Sequence, residues 1–389
     1  MKENSRAYSV DDEICSSYDA LNVSQPTCPR VGFVSFLKNR RQRKNLRVDM
    51  RELVFYDVSL RDGNHAIRHS LTELQIEKYA CLAERAGIDV LEVGHGNGLG
   101  ASSLQLGISA VSDITMIAVA RKQLSKTKLG IHVIPGFAHE TQILSAIDAG
   151  VDVVRVAAHC TEANLTCRHL ELVRGRGCQA YGVLMMSHMA APAVLLSQAR
   201  IMVESGATAI TLMDSAGAYI PSDVKEKIGL LCANLSVPVG FHGHNNLGLA
   251  VANTVVAVEN GAVVVDGSIL GFGAGAGNTP IEVVAAVLSK MNYRFACNSD
   301  KLIDSAIEAQ EFLVQKIPSI HPINLLTGLN GLFSGFEKPI NSASALFKVD
   351  PKLVMKELGS QKIIAGQEDI IFSIAQRISK TQKLALSEI

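Results

Sequence analysis

"IDAGVDVVRVA" (residues 147–157) ends a helical pattern on a glycine and passes directly into a β-branched run. Glycine enters the left-handed conformation at little cost, so Gly150 reads as a helix cap and the run after it as a strand. Apolar residues at successive positions mark a strand buried on both faces, as in parallel sheets covered by helices. The pattern recurs in "ERAGIDVLEVG" (84–94), "VESGATAITLM" (203–213) and "VENGAVVVDGS" (258–268). The glycines at 87, 150, 206 and 261 are 63, 56 and 55 residues apart, room for two strand–helix units each. The intervening strands are legible as "LVFYDVSL" (53–60), "LGIHVIPGF" (129–137), "AYGVLMMSH" (180–188) and "VPVGFHGH" (237–244). Eight strands alternating with helices between about residues 52 and 293 predict an α/β chain with a (β/α)8 TIM barrel of roughly 250 residues. The alternative is an open doubly wound sheet; the even spacing of eight units favours closure.

The whole chain is compatible with that reading. Of 389 residues 48% are hydrophobic and 19% charged, enough for a large core. The 37 basic and 37 acidic residues balance, which argues against nucleic acid or a membrane surface as a partner. No apolar run reaches membrane-span length, and the N-terminus "MKENSRAYSVDDEIC" has no apolar leader core, so a cytoplasmic protein is expected. Eight cysteines without a CxxC fit reduced thiols. Three segments are expected: an N-terminal extension (1–50) whose basic run "FLKNRRQRKNLR" (36–47) reads as a solvated arm, the barrel (51–295), and a small α-helical C-terminal domain (296–389). Within the last, "SDKLIDSAIEAQEFLVQKI" and "DPKLVMKELGSQ" read as helices, and "QEDIIFSIAQRI" as an amphipathic helix packed on its own domain.

In such barrels chemistry sits at the C-terminal ends of the strands, and polar residues gather there. Arg61-Asp62-Gly63-Asn64-His65 follows the first strand, "GHGNG" (94–98) the second and "AAHCTEAN" (157–164) the fourth. "MMSHM" (185–189), "MDSAGAY" (213–219), "HGHNN" (242–246) and "GFGAGAGN" (271–278) follow the last four. His242 and His244, two apart on a strand, point to one face and suit a metal or an anion. Asp62 can add a carboxylate, leaving open positions on a six-coordinate divalent ion. Arg61 and Asp62 would face opposite ways on a regular strand; Gly63 is expected to let the chain turn so that both reach the mouth. "GAGAGN" (273–278) looks like a dinucleotide fingerprint but lies at the eighth strand, so it reads as a tight loop. Cys160 is expected to pack, His159 to line or support the mouth, and Arg68 and His69 to begin the next helix and pin the loop.

Taken in order, "LRDGNHAIRH" (60–69), "GHGNGLGASS" (94–103), "AHCTEA" (158–163), "LMMSHMA" (184–190), "GFHGHNNLGLAVAN" (240–253) and "GAGAGNTPIEV" (273–283) closely resemble the 4-hydroxy-2-oxovalerate aldolase family. These are pyruvate-specific class II aldolases among the barrel metallolyases that include 3-hydroxy-3-methylglutaryl-CoA lyase, and the match runs over about residues 52–340. The resemblance implies cleavage of a 4-hydroxy-2-oxo acid to pyruvate and an aldehyde. It assigns Asp62, His242 and His244 to Mn2+ (or Mg2+ or Co2+), Arg61 to the enolate oxygen, His65 to the C4 hydroxyl proton and Ser215 to pyruvate. It further implies an acylating aldehyde dehydrogenase as partner and a homo- or hetero-oligomer. His65 stands where the Claisen-type branches carry glutamine, which favours aldol chemistry. The rivals are an acyl-CoA condensing enzyme or lyase of the same superfamily, and an inactive metal-binding scaffold. Three departures stand out. "GLNGLFSGF" (328–336) puts Phe333 and Leu329 where the family has tyrosines, Phe333 at the aldehyde end of the substrate; Asn97 replaces an expected aspartate; and residues 1–50 have no counterpart.

Overall fold

The structure is a computed structural model that describes residues 52–361, 363 and 367–387. The N-terminal extension, with its basic run, Cys15 and Cys28, lies outside the described residues. Eight strands, β1 (Val54–Leu60), β2 (Val90–Val93), β3 (Lys128–Val133), β4 (Val153–His159), β5 (Gln179–Met185), β6 (Ala209–Asp214), β7 (Val239–Gly243) and β8 (Val264–Gly267), close into a barrel in sequence order. Every neighbouring pair is parallel. One helix follows each strand: α1 (Glu73–Ala86), α2 (Asp113–Gln123), α3 (Glu140–Asp148), α4 (Cys167–Gly175), α5 (Pro192–Glu204), α6 (Pro221–Asn234), α7 (Ala250–Glu259) and α8 (Ile281–Lys290).

The repeated glycines set this geometry. Gly87, Gly150, Gly206 and Gly261 have φ of 75°, 101°, 103° and 102°, values that penalise any residue with a Cβ. In each case the next strand starts three residues beyond the glycine. Period-two alternation then divides each strand. Ile131, Val154, Leu212 and Phe241 face the helices, whereas Tyr56, Val58, Val90, Val153 and Val264 fill the lower interior. Ala157, Val183 and Met213, with Ile134 and Met185, form an apolar wall higher up on the side of β3–β6. A buried polar layer lies among them: Glu92, His132, Arg155, Thr211, His242 and Asp266.

The end of β1 departs from regular geometry. Its register against β2 shifts between Asp57 and Leu60, and the Arg61 N–H donates to the Val58 carbonyl at 3.1 Å. Asp57 and Ser59, on the same outward face as Phe55, point toward α1, where the Tyr79 hydroxyl donates to Asp57 Oδ2 at 2.6 Å and the Ser59 hydroxyl to Asp57 Oδ1 at 2.5 Å.

Helix α9 (Ser299–Phe312) buries Leu302, Ala306 and Ala309 in the cluster that surrounds the barrel, although the sequence reading assigned residues from 296 onward to the C-terminal domain. The separate C-terminal core begins with α10 (Pro322–Leu329) and continues through α11 (Glu337–Phe347), α12 (Pro351–Gln361) and α13 (Glu368–Ser387). Helix α13 places Ile371, Ile374 and Ala375 in that core, as its amphipathic pattern predicts. Two bonds tie this domain to the barrel mouth. Asn246 Nδ2 donates to Thr327 Oγ1 at 2.7 Å, and His188 Nε2 lies 3.0 Å from the Gly331 carbonyl. Among the described residues no helix is long and apolar enough to cross a membrane, and the six described cysteines are free thiols.

Burial raises the Asp57 carboxyl to about 6, against the hydrogen bonds from Ser59 and Tyr79 that lower it. The folded chain therefore holds this proton more tightly than the unfolded chain. The stabilisation is complete below about pH 4 and is lost as the pH rises through 6. Asp57→Asn is expected to remove on the order of 3 kcal/mol of pH dependence between pH 4 and 7. Urea unfolding at a series of pH values measures it, and an unchanged slope would show that Asp57 is not its source.

Candidate active site

The turn after β1 brings three functional side chains to the mouth. Residues Asp62–His65 form one turn of 3-10 helix directly after the strand, so Arg61 and Asp62 need not face opposite ways. Gly63 acts differently from the sequence expectation. Its φ lies outside the left-handed region; a Cβ there would instead collide with the Phe272 ring, so glycine is required by close approach. Arg68 and His69 also differ from expectation. Both have positive φ, 56° and 61°, and they precede α1, which starts at Glu73 under a capping box formed by Thr72 and Gln75.

Arg61 is held from three directions. Its Nε donates to Glu92 Oε1 at 2.6 Å, and its Nη1 to Asp62 Oδ1 at 2.9 Å and to the Gly96 carbonyl at 3.3 Å. Its Nη2 is buried without a partner. Asp62 Oδ2 accepts from Asn278 Nδ2 at 2.7 Å. The "GAGAGN" loop permits this approach: a Cβ on Gly273 would overlap the Asn278 amide and come within 2.9 Å of Asp62 Oδ2.

His242 and His244 stand edge to face, ring centroids 5.1 Å apart. Asp62, His242 and His244 each offer a donor atom, all within 4.8 Å of one another. His242 Nδ1 and Nε2 and His244 Nδ1 are buried without hydrogen bonds. One carboxylate and two imidazoles with unused lone pairs form a donor set for a divalent ion, so the residues present fit a metal. Burial would raise the Asp62 carboxyl, but Arg61 and then His244, His65 and His242 outweigh it and hold it well below the usual range. Burial lowers His244 to about 4 against the pull of Asp62. Both groups are therefore in the form that binds cations.

His65 is likewise pushed down, to about 4, by burial, against the pull of Asp62. A Cβ on Gly96 would come within 2.6 Å of the His65 ring. Behind His65 stand two more imidazoles: His69 lies edge-on to it at 5.1 Å and is stacked on His95 at 3.6 Å. His69 Nδ1 accepts from the Gly96 N–H and His95 Nδ1 from the Asn97 N–H, while His95 Nε2 lies 3.0 Å from the Gly107 carbonyl. Their nitrogens are thus engaged with loop backbone, and they buttress His65. Nothing in the structure explains an amide at Asn97 in place of a carboxylate.

Ser215 follows β6, its Oγ accepting from the Met186 N–H at 3.0 Å. Cys160 packs in the outer cluster, and His159 Nδ1 lies 2.8 Å from Thr161 Oγ1 at the rim. Phe333 is not brought together with these residues. Its ring packs on the C-terminal core, 5.7 Å from that of Phe336. The nearby residue that touches a mouth loop is Gly331, through His188.

Sequence reasoning missed Glu92, Asn278 and the His69–His95 pair. The available signal for Glu92 was a lone acid inside the buried run "VLEV"; for Asn278 it was the polar end of a glycine loop.

Residues 52–312 match the HMGL-like family model. The chain belongs to the HMGL-like family. Residues 318–380 match a second model, the DmpG-like communication domain. Curated relatives include 4-hydroxy-2-oxovalerate aldolases from Pectobacterium atrosepticum, 49% identical over 85% of this chain and 96% of that one, and from Spirochaeta aurantia, 46% identical over 84% and 96%. Aldolases are carbon–carbon lyases. The carboxyl transferase domain of Rhizobium etli pyruvate carboxylase, solved with pyruvate and biocytin, superposes with a TM-score of 0.70 at 14% identity, covering 85% of this chain and 61% of that one. At that identity the likeness concerns the HMGL-like fold alone.

If Asp62, His242 and His244 hold the ion, Asp62→Asn and His244→Ala should each weaken Mn2+ binding by more than the roughly 10–100-fold that loss of an outer-shell partner costs. Isothermal titration measures this, and wild-type affinity in both variants would remove the triad from consideration.

Proposed function

We propose that this chain is a divalent-metal aldolase that cleaves a 4-hydroxy-2-oxo acid to pyruvate and an aldehyde, or joins them in reverse. The observation that carries the reading is the Arg61–Asp62–His65 turn set against His242 and His244, the unpaired Arg61 Nη2 beside the buried donor set. A divalent ion held by Asp62, His242 and His244, Mn2+ by preference and Mg2+ or Co2+ otherwise, would serve as the Lewis acid that polarises the 2-oxo group.

The protein's own residues supply the rest. Arg61, always charged and clamped by Glu92 and Asp62, directs its free Nη2 at the oxygen on which negative charge grows as C3–C4 breaks. His65 is neutral, its imidazole pushed down to about 4 by burial. Its unprotonated ring nitrogen is the base that takes the C4 hydroxyl proton. The Ser215 oxygen already accepts from Met186, so its hydroxyl hydrogen is available to donate to the pyruvate carboxylate. We assign the aldehyde's carbon chain to the apolar wall of Ile134, Ala157, Val183, Met185 and Met213.

The communication-domain match supports an acylating aldehyde dehydrogenase as partner and assembly into a homo- or hetero-oligomer. The balanced charge and free thiols support a cytoplasmic setting.

Deuterium exchange at the pyruvate methyl group, followed by NMR, tests the reading without knowledge of the aldehyde. Exchange is expected with Mn2+ and should vanish with EDTA and in Asp62→Asn. No exchange with Mn2+ demonstrably bound would favour the acyl-CoA enzyme or the scaffold. His65→Ala should slow cleavage by about 10²–10⁴-fold, the usual worth of a positioned base. Gly96→Ala, whose Cβ would meet the His65 ring first, should slow cleavage while the protein still melts cooperatively; normal turnover would detach His65 from the chemistry.

A further inference from the structure

We infer that Asp266, clamped by Arg155 on the barrel floor, is a positioning residue that fixes the ring of His242 so that Nε2 faces the metal position. The inference rests on the metal reading above and concerns residues with no role in it. Asp266 lies on β8, is fully buried and accepts from both terminal guanidinium nitrogens of Arg155 at 2.6 Å. Its Oδ2 is also 3.3 Å from His242 Nδ1, off-line for a hydrogen bond and close enough that a small ring rotation aligns it. Asp266 is the carboxylate against which His242 Nδ1 is packed, so this nitrogen carries the hydrogen and Nε2 keeps the lone pair.

Arg155 is itself fixed in direction. Its guanidinium lies 3.4 Å from the Tyr56 ring centroid, and its Nε lies 3.8 Å from Glu92 Oε2. The Tyr56 hydroxyl donates to Glu92 at 2.9 Å, and Glu92 in turn grips Arg61. One buried guanidinium thus stands between the carboxylate behind a metal ligand and the carboxylate behind Arg61. A pair serving only to fill the barrel floor would not need to abut His242, and an apolar pair of similar volume would fill the space as well or better.

Two measurements decide the matter. The first uses the unaltered, metal-free protein: ¹⁵N-edited NMR of the His242 ring is expected to show the Nδ1–H tautomer, and an Nε2–H tautomer would overturn the proposal whatever any variant does. The second is Mn2+ binding by isothermal titration to the wild type, to Asp266→Asn, and to the paired variant Arg155→Met with Asp266→Leu, which leaves no unmatched charge on the floor. A 10–100-fold loss of Mn2+ affinity is expected in both, with the melt still cooperative. Wild-type affinity in the folded paired variant would reduce Arg155–Asp266 to a structural ion pair. Failure of the wild type to bind Mn2+ would instead sink the metal reading itself, and the tautomer would still report on Asp266.

Discussion

A closed barrel of parallel strands has no edge, and water enters it only from the ends, so a charge directed inward must meet its counter-charge there. The rest of this structure follows from how that condition is met. Arg61, Glu92, Arg155 and Asp266 are all essentially buried and interlock, two cations against two anions. Removing one partner from such a set typically costs roughly 3–5 kcal/mol, because the survivor keeps its desolvation penalty and loses its compensation. The set therefore behaves as one object, and side chains attached to it inherit its rigidity. Arg61 belongs to it directly.

Above this floor the same low-dielectric interior sorts protonation states. Burial depresses the imidazoles of His65, His69, His132 and His244, so they are neutral, while Arg61 keeps Asp62 ionised. The mouth thus presents lone pairs and one negative charge beside a fixed guanidinium. Arg61, Asp62, His65, His242, His244 and Asn278 at the mouth follow or end β1, β7 and β8, with Ser215 added after β6, whereas the apolar wall lies on the side of β3–β6. That division suits a substrate with an oxygen-rich end and a hydrocarbon end.

The barrel was legible because its determinants are local. A glycine that ends a helix and a β-branched run behind it are read within a dozen residues, and the parity of His242 and His244 is a property of one strand. The contacts that complete the site are not local: Asn278 meets Asp62 across 216 residues, and Asp266 meets Arg155 across 111. Only chain closure pairs them. Gly63 illustrates an intermediate case. The sequence marks the position as special, but whether glycine is there for its backbone freedom or for the nearness of Phe272 depends on where a distant loop passes. Phe333 shows the opposite hazard: a motif position suggested the mouth, while packing with Phe336 places the ring in the C-terminal core.

The bonds from Asn246 to Thr327 and from His188 to Gly331 join the C-terminal helices to the loops after β7 and β5. A free loop would lose roughly 1–2 kcal/mol of backbone entropy per residue on being ordered by a ligand. Here the loop that follows His244 is ordered when α10 docks, so that loss is incurred at folding. The affinity of the mouth for whatever it binds thus includes the folding free energy of a domain that contributes none of the metal donors.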